Sequence, residues 1–178
     1  MKNELPPNEV TSTIINTIQR RTIKPLNRFP AVSVKPSSTD SYFSLVVFNY
    51  LFSNGDAHLK NFSLLESSSG DYLLSPAYDL VNTKLHVDDT DFALDKGLFA
   101  DDYKSEQYKK SGHPSKSDFT EFALRIGVAE SRVEKLLNPF LEKQLLVETL
   151  ISRSFLAEAN KRGYLFMYYT KRNHLIAQ

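Results

Sequence analysis

Residues 42–61 read YFSLVVFNYLFSNGDAHLKN, and the point at residue 53 where apolar gives way to polar decides how the chain folds. The first eleven residues are apolar on nearly every side and carry no turn signal. That length and continuity predict a fully enclosed core helix rather than a strand, with Thr39 or Asp40 as its cap. The polar run SNGDAHLKN then emerges from the end of that helix, so it is held by the core while facing outward.

Downstream, FSLL (62–65) and YLL (72–74) flank ESSSGD (66–71), a pattern that predicts a small β-hairpin. A hairpin returns the chain to its starting point. Asn61, before the first strand, is therefore expected close to the segment SPAYDL (75–80) after the second. Asp56, Asn61 and Asp79 then surround one small volume. A carboxylate to orient an acceptor hydroxyl, with an amide and a second carboxylate for magnesium, is the set that phosphoryl transfer on the protein-kinase plan requires. The five-residue step from Asp56 to Asn61 equals that of the kinase loop H-R-D-L-x-x-x-N, although Ser53-Asn54-Gly55 and Ala77-Tyr78-Asp79-Leu80 replace the usual flanks.

Those replacements carry a resemblance. FNYLFSNGDAHLKNFSLL followed by YLLSPAYDLVNT closely resembles the C-terminal portion of HipA-like kinases, the toxin kinases of bacterial toxin–antitoxin modules. The match is strong over residues 40–83 and weaker from 115 to the end. It implies a mainly α, kinase C-lobe-like domain with a small hairpin, acting as a Ser/Thr protein kinase with ATP and Mg2+. Carried residue by residue, Asp56 matches the catalytic aspartate, and Asn61 and Asp79 match the metal ligands. Lys60 falls at a catalytic and nucleotide-contacting position where it could counter γ-phosphoryl charge. His58 falls at a nucleotide-side motif position and is also read as tying the loop together.

A kinase further needs a phosphate-covering loop and a strand lysine. The six glycines form no G-x-G, and Lys35 in AVSVK lies only 21 residues before Asp56, so it is read as a solvated loop lysine. The expected partners are accordingly a separate or missing N-terminal kinase lobe, a protein substrate and an antitoxin. The alternative is a catalytically inactive remnant serving as a protein-binding module.

The chain as a whole is expected to form one domain over residues 1–178. A helix over 9–21 and a loop over 25–38 lead in, residues 39–83 form the catalytic core, and a long loop runs over 84–116. The end, 117–178, is helical. There, Asp118 with Glu121 suggests a capping box, a helix from Glu130 runs to about Ile151 bent at Pro139, and Ser154 caps a last helix striped by Tyr164, Met167, Tyr168, Lys171 and Leu175. The four histidines share no metal-ligand spacing, and Lys171-Arg172 reads as a solvated face. Lys plus Arg number 22 against 21 Asp plus Glu, which gives no global field for nucleic acid or an anionic membrane. With no cysteine and no apolar run of spanning length, a soluble cytoplasmic protein is expected.

Overall fold

The computed structural model describes residues 35–93 and 97–177. The expected helix over 9–21 lies outside them. Six α-helices and one two-stranded antiparallel sheet make up the described chain. Helix α1 spans Pro36–Leu51, strands β1 and β2 span Leu64–Glu66 and Tyr72–Leu74, and five helices follow. These are α2 (Glu106–Ser111), α3 (Lys116–Arg125), α4 (Glu130–Leu141), α5 (Leu145–Arg153) and α6 (Glu158–Ile176). The mainly helical class with a small hairpin is what the sequence predicts.

Helix α1 is the axis of the lobe, packing on α4, α6 and β2. Its Tyr42, Phe43, Val47, Tyr50 and Leu51 are buried with Phe119, Phe122 and Ala123 of α3, Val133 and Leu137 of α4, and Tyr168 and Leu175 of α6. Tyr50 meets the Phe119 ring at 5.2 Å and stacks on Phe92 at 5.5 Å, and Tyr42 makes an edge contact with Phe62 at 5.0 Å. Aromatic pairs in these geometries add to the transfer free energy of the buried rings.

The helix starts earlier than the sequence suggests. Pro36 occupies its first turn, where a missing N–H costs nothing and the fixed φ favours entry, so Thr39 and Asp40 sit inside the helix, buried. The Ser38 hydroxyl accepts a hydrogen bond from Leu74 N at 3.0 Å, and Lys35 N donates to Tyr72 O at 3.2 Å, pinning the start of α1 to β2. Lys35 is not merely solvated, since its Nζ lies 3.3 Å from Asp71. Asp40 pairs with Arg132 at 2.7 Å and ties α1 to α4.

The C-terminal part differs from expectation at four helix ends. Residues 84–116 are not all loop: Ser105 caps α2 by accepting from Tyr108 N, and left-handed Gly112 closes it. The capping box is Ser115 with Asp118, not Asp118 with Glu121. Asp118 is fully buried and accepts from the Ser105 and Ser115 main-chain N–H groups and from both hydroxyls, at 2.7–2.9 Å. The span from Glu130 to Ile151 is two helices, because the proline at 139 has no N–H to give the preceding turn and α4 ends at Leu141. Ser154 closes α5 instead of opening α6, its hydroxyl donating to Ile151 O at 2.7 Å.

Lys171 is not on a solvated face. It is buried on α6, with Nζ 3.0 Å from Asp91 and 4.8 Å from the centre of the Tyr50 ring. Asp91 also pairs with Lys84 at 3.4 Å and with His113 at 3.5 Å. Two of the four histidines, His113 and His174, stack at 4.1 Å. Burial, and then the neighbouring His113, push the His174 imidazole below its ordinary value. This cluster fastens the irregular segment around residue 91 to α6.

Asp118→Asn turns an acceptor into a donor facing N–H groups that are already donors, and should cost about 1–3 kcal/mol in urea unfolding. A second expectation concerns acid. Burial opposes the Asp91 charge, but Lys171 and Lys84 outweigh it and hold the carboxyl below its usual 3.8. A depressed carboxyl stabilises the fold above its unfolded value and loses that contribution as pH falls through the folded one. Stability should therefore drop below about pH 4, and Asp91→Asn should remove part of that acid dependence while lowering stability at neutral pH.

Candidate active site

The site forms where α1 stops. Ser53 takes a left-handed conformation at φ 58°, and Asn54 N bonds back to Asn49 O at 2.9 Å, so the chain reverses sharply at the end of the core helix. Residues 54–61 then run as a tight loop closed by a short 3-10 turn at Leu59–Asn61. Main-chain bonds from His58 N to Asp56 O and from Asn61 N to His58 O, at 2.6 and 2.8 Å, hold its curvature.

The hairpin brings the chain back as its pattern predicts, pairing Leu64 with Leu74 and Glu66 with Tyr72. Ser75 N donates to Ser63 O at 2.8 Å, extending the pairing one step toward the loop. Asn61 and Asp79 are thereby joined: Asn61 Nδ2 donates to Asp79 Oδ2 at 2.8 Å and to the Asp56 carbonyl at 3.2 Å. Asn61 is buried, whereas Asp79 is exposed and the Asp56 side chain is half exposed. His58 Nε2 lies 3.1 Å from Asp56 Oδ1, and the exposed Lys60 Nζ lies 3.8 Å from Oδ2. All five residues singled out in the sequence thus gather on one edge of the lobe.

Three further residues build the edge. The Tyr78 hydroxyl donates to Lys60 O at 3.0 Å and accepts from Ser63 Oγ at 2.8 Å, tying the returning segment to the loop. Thr83 clasps the loop's start, with its Oγ1 accepting from Gly55 N at 2.9 Å and its N donating to Ser53 O at 3.1 Å. Asn54 donates to both Asn49 Oδ1 and the Asp79 carbonyl, at 2.9 and 3.0 Å. Asn54-Gly55 has the signature of an ordinary hairpin turn, which hides this role. The VNT after SPAYDL was the only trace of Thr83.

The donor set suits a hard divalent cation. Because the Asn61 NH2 group is committed to Asp79 and Asp56, its Oδ1 is left as a free acceptor among the described residues. Asp79 Oδ1 is likewise available. Two protein oxygens are too few to enclose a cation, but magnesium keeps several waters and takes phosphate oxygens when it serves a nucleotide. Among the described residues no group of three or more His, Cys, Asp or Glu side chains could hold a metal by itself.

Asn61 and Asp79 are thus joined by the hairpin return, beside Asp56, where the core helix ends. The family described as "HipA-like C-terminal domain" matches residues 19–145, and the chain belongs to that family. It is similar to "Putative kinase Y4dM" of Sinorhizobium fredii, at 28% identity over 108 residues covering 61% of this chain and 24% of that protein. It is also similar to a "Putative kinase" of Haemophilus influenzae, at 28% identity over 132 residues covering 65% of this chain and 36% of that protein. The chain thus spans about a quarter and about a third of the length of these two relatives. Among the described residues no helix is long and apolar enough to cross a membrane.

Gly55 tests the packing of this edge. A Cβ there would lie 2.6 Å from Asp89 Cβ and 2.7 Å from Thr90 O. Gly55→Ala should force the 89–90 segment away, cost about 1–3 kcal/mol in thermal or urea unfolding, and shift the amide resonances of residues 53–61.

Proposed function

We propose that this chain is the acceptor- and metal-side lobe of a HipA-type serine/threonine protein kinase, completed by an N-terminal lobe that supplies the remaining contacts to ATP. The observation that carries the reading is the 2.8 Å bond between Asn61 and Asp79 beside the exposed carboxylate of Asp56. An antitoxin partner and a protein substrate belong to the same proposal and rest on the family.

In this reading His58 holds Oδ1 of Asp56, which leaves Oδ2 on the open side to receive the hydrogen bond of a serine or threonine hydroxyl. As that hydroxyl oxygen forms its bond to the γ-phosphorus, its proton passes to Asp56. The bond from phosphorus to the bridging oxygen breaks, and its electron pair leaves with ADP. Transfer of this kind asks the protein mainly for position and compensating charge. Lys60, exposed beside Oδ2, stands where it would face the transferred group. Asn61 Oδ1 and Asp79 Oδ1 would hold magnesium, which when bound neutralises charge developing on the phosphate oxygens. Tyr78 and Thr83 keep the two halves of the edge in register.

The test is recovery of the tagged chain from its native cell, with whatever second lobe accompanies it, followed by transfer from γ-labelled ATP to protein. Asp56→Ala should lower transfer by about 10²–10⁴-fold, the usual contribution of a positioned base. Asp79→Ala should lower both transfer and metal–nucleotide binding. Transfer by the Asp56→Ala variant at the unsubstituted rate would overturn the assignment.

A further inference from the structure

Asp79 is held in an unusual way. Its φ is +55°, in the left-handed region that side chains other than glycine adopt at a cost, although aspartate and asparagine tolerate it best. The segment around it, Ser75–Val81, has no regular secondary structure, and Pro76 to Val81 are exposed. Such a segment does not keep one backbone conformation by itself. Two side chains from the opposite loop grip this residue. Asn61 takes its carboxylate at 2.8 Å, and Asn54 takes its main-chain carbonyl at 3.0 Å.

Asn54 is suited to anchor rather than to contact a ligand. It is 5% exposed, as is Asn49. The two hydrogens of its amide are both spent: one on Asn49 Oδ1, inside α1, and one on Asp79 O. The first bond fixes the amide to the most rigid element of the lobe, and the second passes that rigidity across the gap. Residue 54 also lies two positions before Asp56, so one amide references the base and the metal-facing carboxylate to the same helix end.

We propose that Asn54 is a positioning residue for the metal site: its buried amide, by holding the Asp79 carbonyl, keeps that residue left-handed and so keeps its carboxylate against Asn61. The inference rests on the reading of Asn61 and Asp79 as metal ligands. It makes the asparagine of the N-x-D stretch a part of the metal site's outer support, where loss of a partner typically weakens metal binding by 10–100-fold.

The experiment titrates the full chain with Mn2+ and follows paramagnetic broadening of the Asn61 side-chain amide and of the main-chain amides at 79–80, a readout that reaches weak sites. Asn54→Ala should require about ten times more Mn2+ for equal broadening. Asn49→Ala is the comparison, because it removes the anchor of the same buried amide but leaves its bond to Asp79 O, and it should raise the Mn2+ requirement less than Asn54→Ala does. A purely structural Asn54 predicts equal Mn2+ titrations for the two variants, both melting lower, and that result overturns the inference. In an Asp79→Ala background the Asn54→Ala change should have no further effect on Mn2+; an undiminished effect there also overturns it. Should Asn54→Ala not fold, Asn54→Ser is expected to show the same loss, since its short hydroxyl cannot span both partners, and unchanged Mn2+ binding by it overturns the inference. If Asn61→Ala and Asp79→Ala weaken Mn2+ binding but neither Asn54 variant does, the metal site stands and only the positioning role falls. If the unsubstituted chain shows no broadening at 61 and 79, the metal site falls, and this inference with it.

Discussion

Burial of one face of α1 is the constraint from which the rest of the lobe is built. Tyr42, Phe43, Val47, Tyr50 and Leu51 are each at most 8% exposed, and burying a side chain of this size contributes about 1.5–3 kcal/mol. Three later helices and the hairpin take their places by packing on that face. The helix end is therefore the most fixed point available to a loop, and Asp56, the first of the proposed site residues, lies five positions beyond Leu51, the last buried core residue of that helix. A catalytic group placed on a rigid element keeps its geometry with little further ordering.

Around that fixed end, burial and exposure divide the polar residues by task. Asn54 and Asn61 are buried and spend their N–H groups on protein acceptors, whereas Asp56, Lys60 and Asp79 stand open to solvent. Amides can be buried cheaply once bonded, while isolated charges cannot. The division also keeps the carboxylates accessible to anything that docks on this edge. In the adjoining 84–91 segment, which packs against Gly55, the pattern inverts. There the charged groups, Asp91 with Lys171 and Lys84, are drawn inward and serve attachment.

What could be read from the chain follows the same physics. The core helix, the hairpin and the meeting of Asn61 with Asp79 were legible from a continuous apolar run and a two-strand return, but α1 is not fully enclosed as its composition suggests: Leu45, Val46 and Phe48 are only partly buried. Helix ends were less legible. Pro36 and Thr39 both offer a start, and the choice fell to the bonds that Ser38 and Lys35 make with the hairpin, 36 and 37 residues away in sequence. Asp118 with Glu121 has the pattern of a box, but Asp118 serves the box at Ser115 and also takes the N–H and hydroxyl of Ser105, a partner 13 residues away that the pattern does not reveal. Lys171 lay on an apolar stripe, which already argued against a solvated place. Its partner Asp91 sits in a stretch without periodicity and could not be found by spacing. The role of Asn54 was hidden because the turn reading of Asn-Gly explains the same two letters.

The hairpin is fastened by Ser38 to Leu74, by Ser63 to Ser75 and by Lys35 to Tyr72 and Asp71, while its tip, Ser67–Gly70, lies beyond these bonds with Ser68, Ser69 and Gly70 exposed. The distance between Asn61 and Asp79 is set below those fastenings and does not depend on how far the strands run beyond them. Lengthening a loop costs free energy only logarithmically. The tip is thus where descendants of this chain can gain or lose residues, or carry a grafted peptide, without disturbing the pairing of Asn61 with Asp79 at the other end.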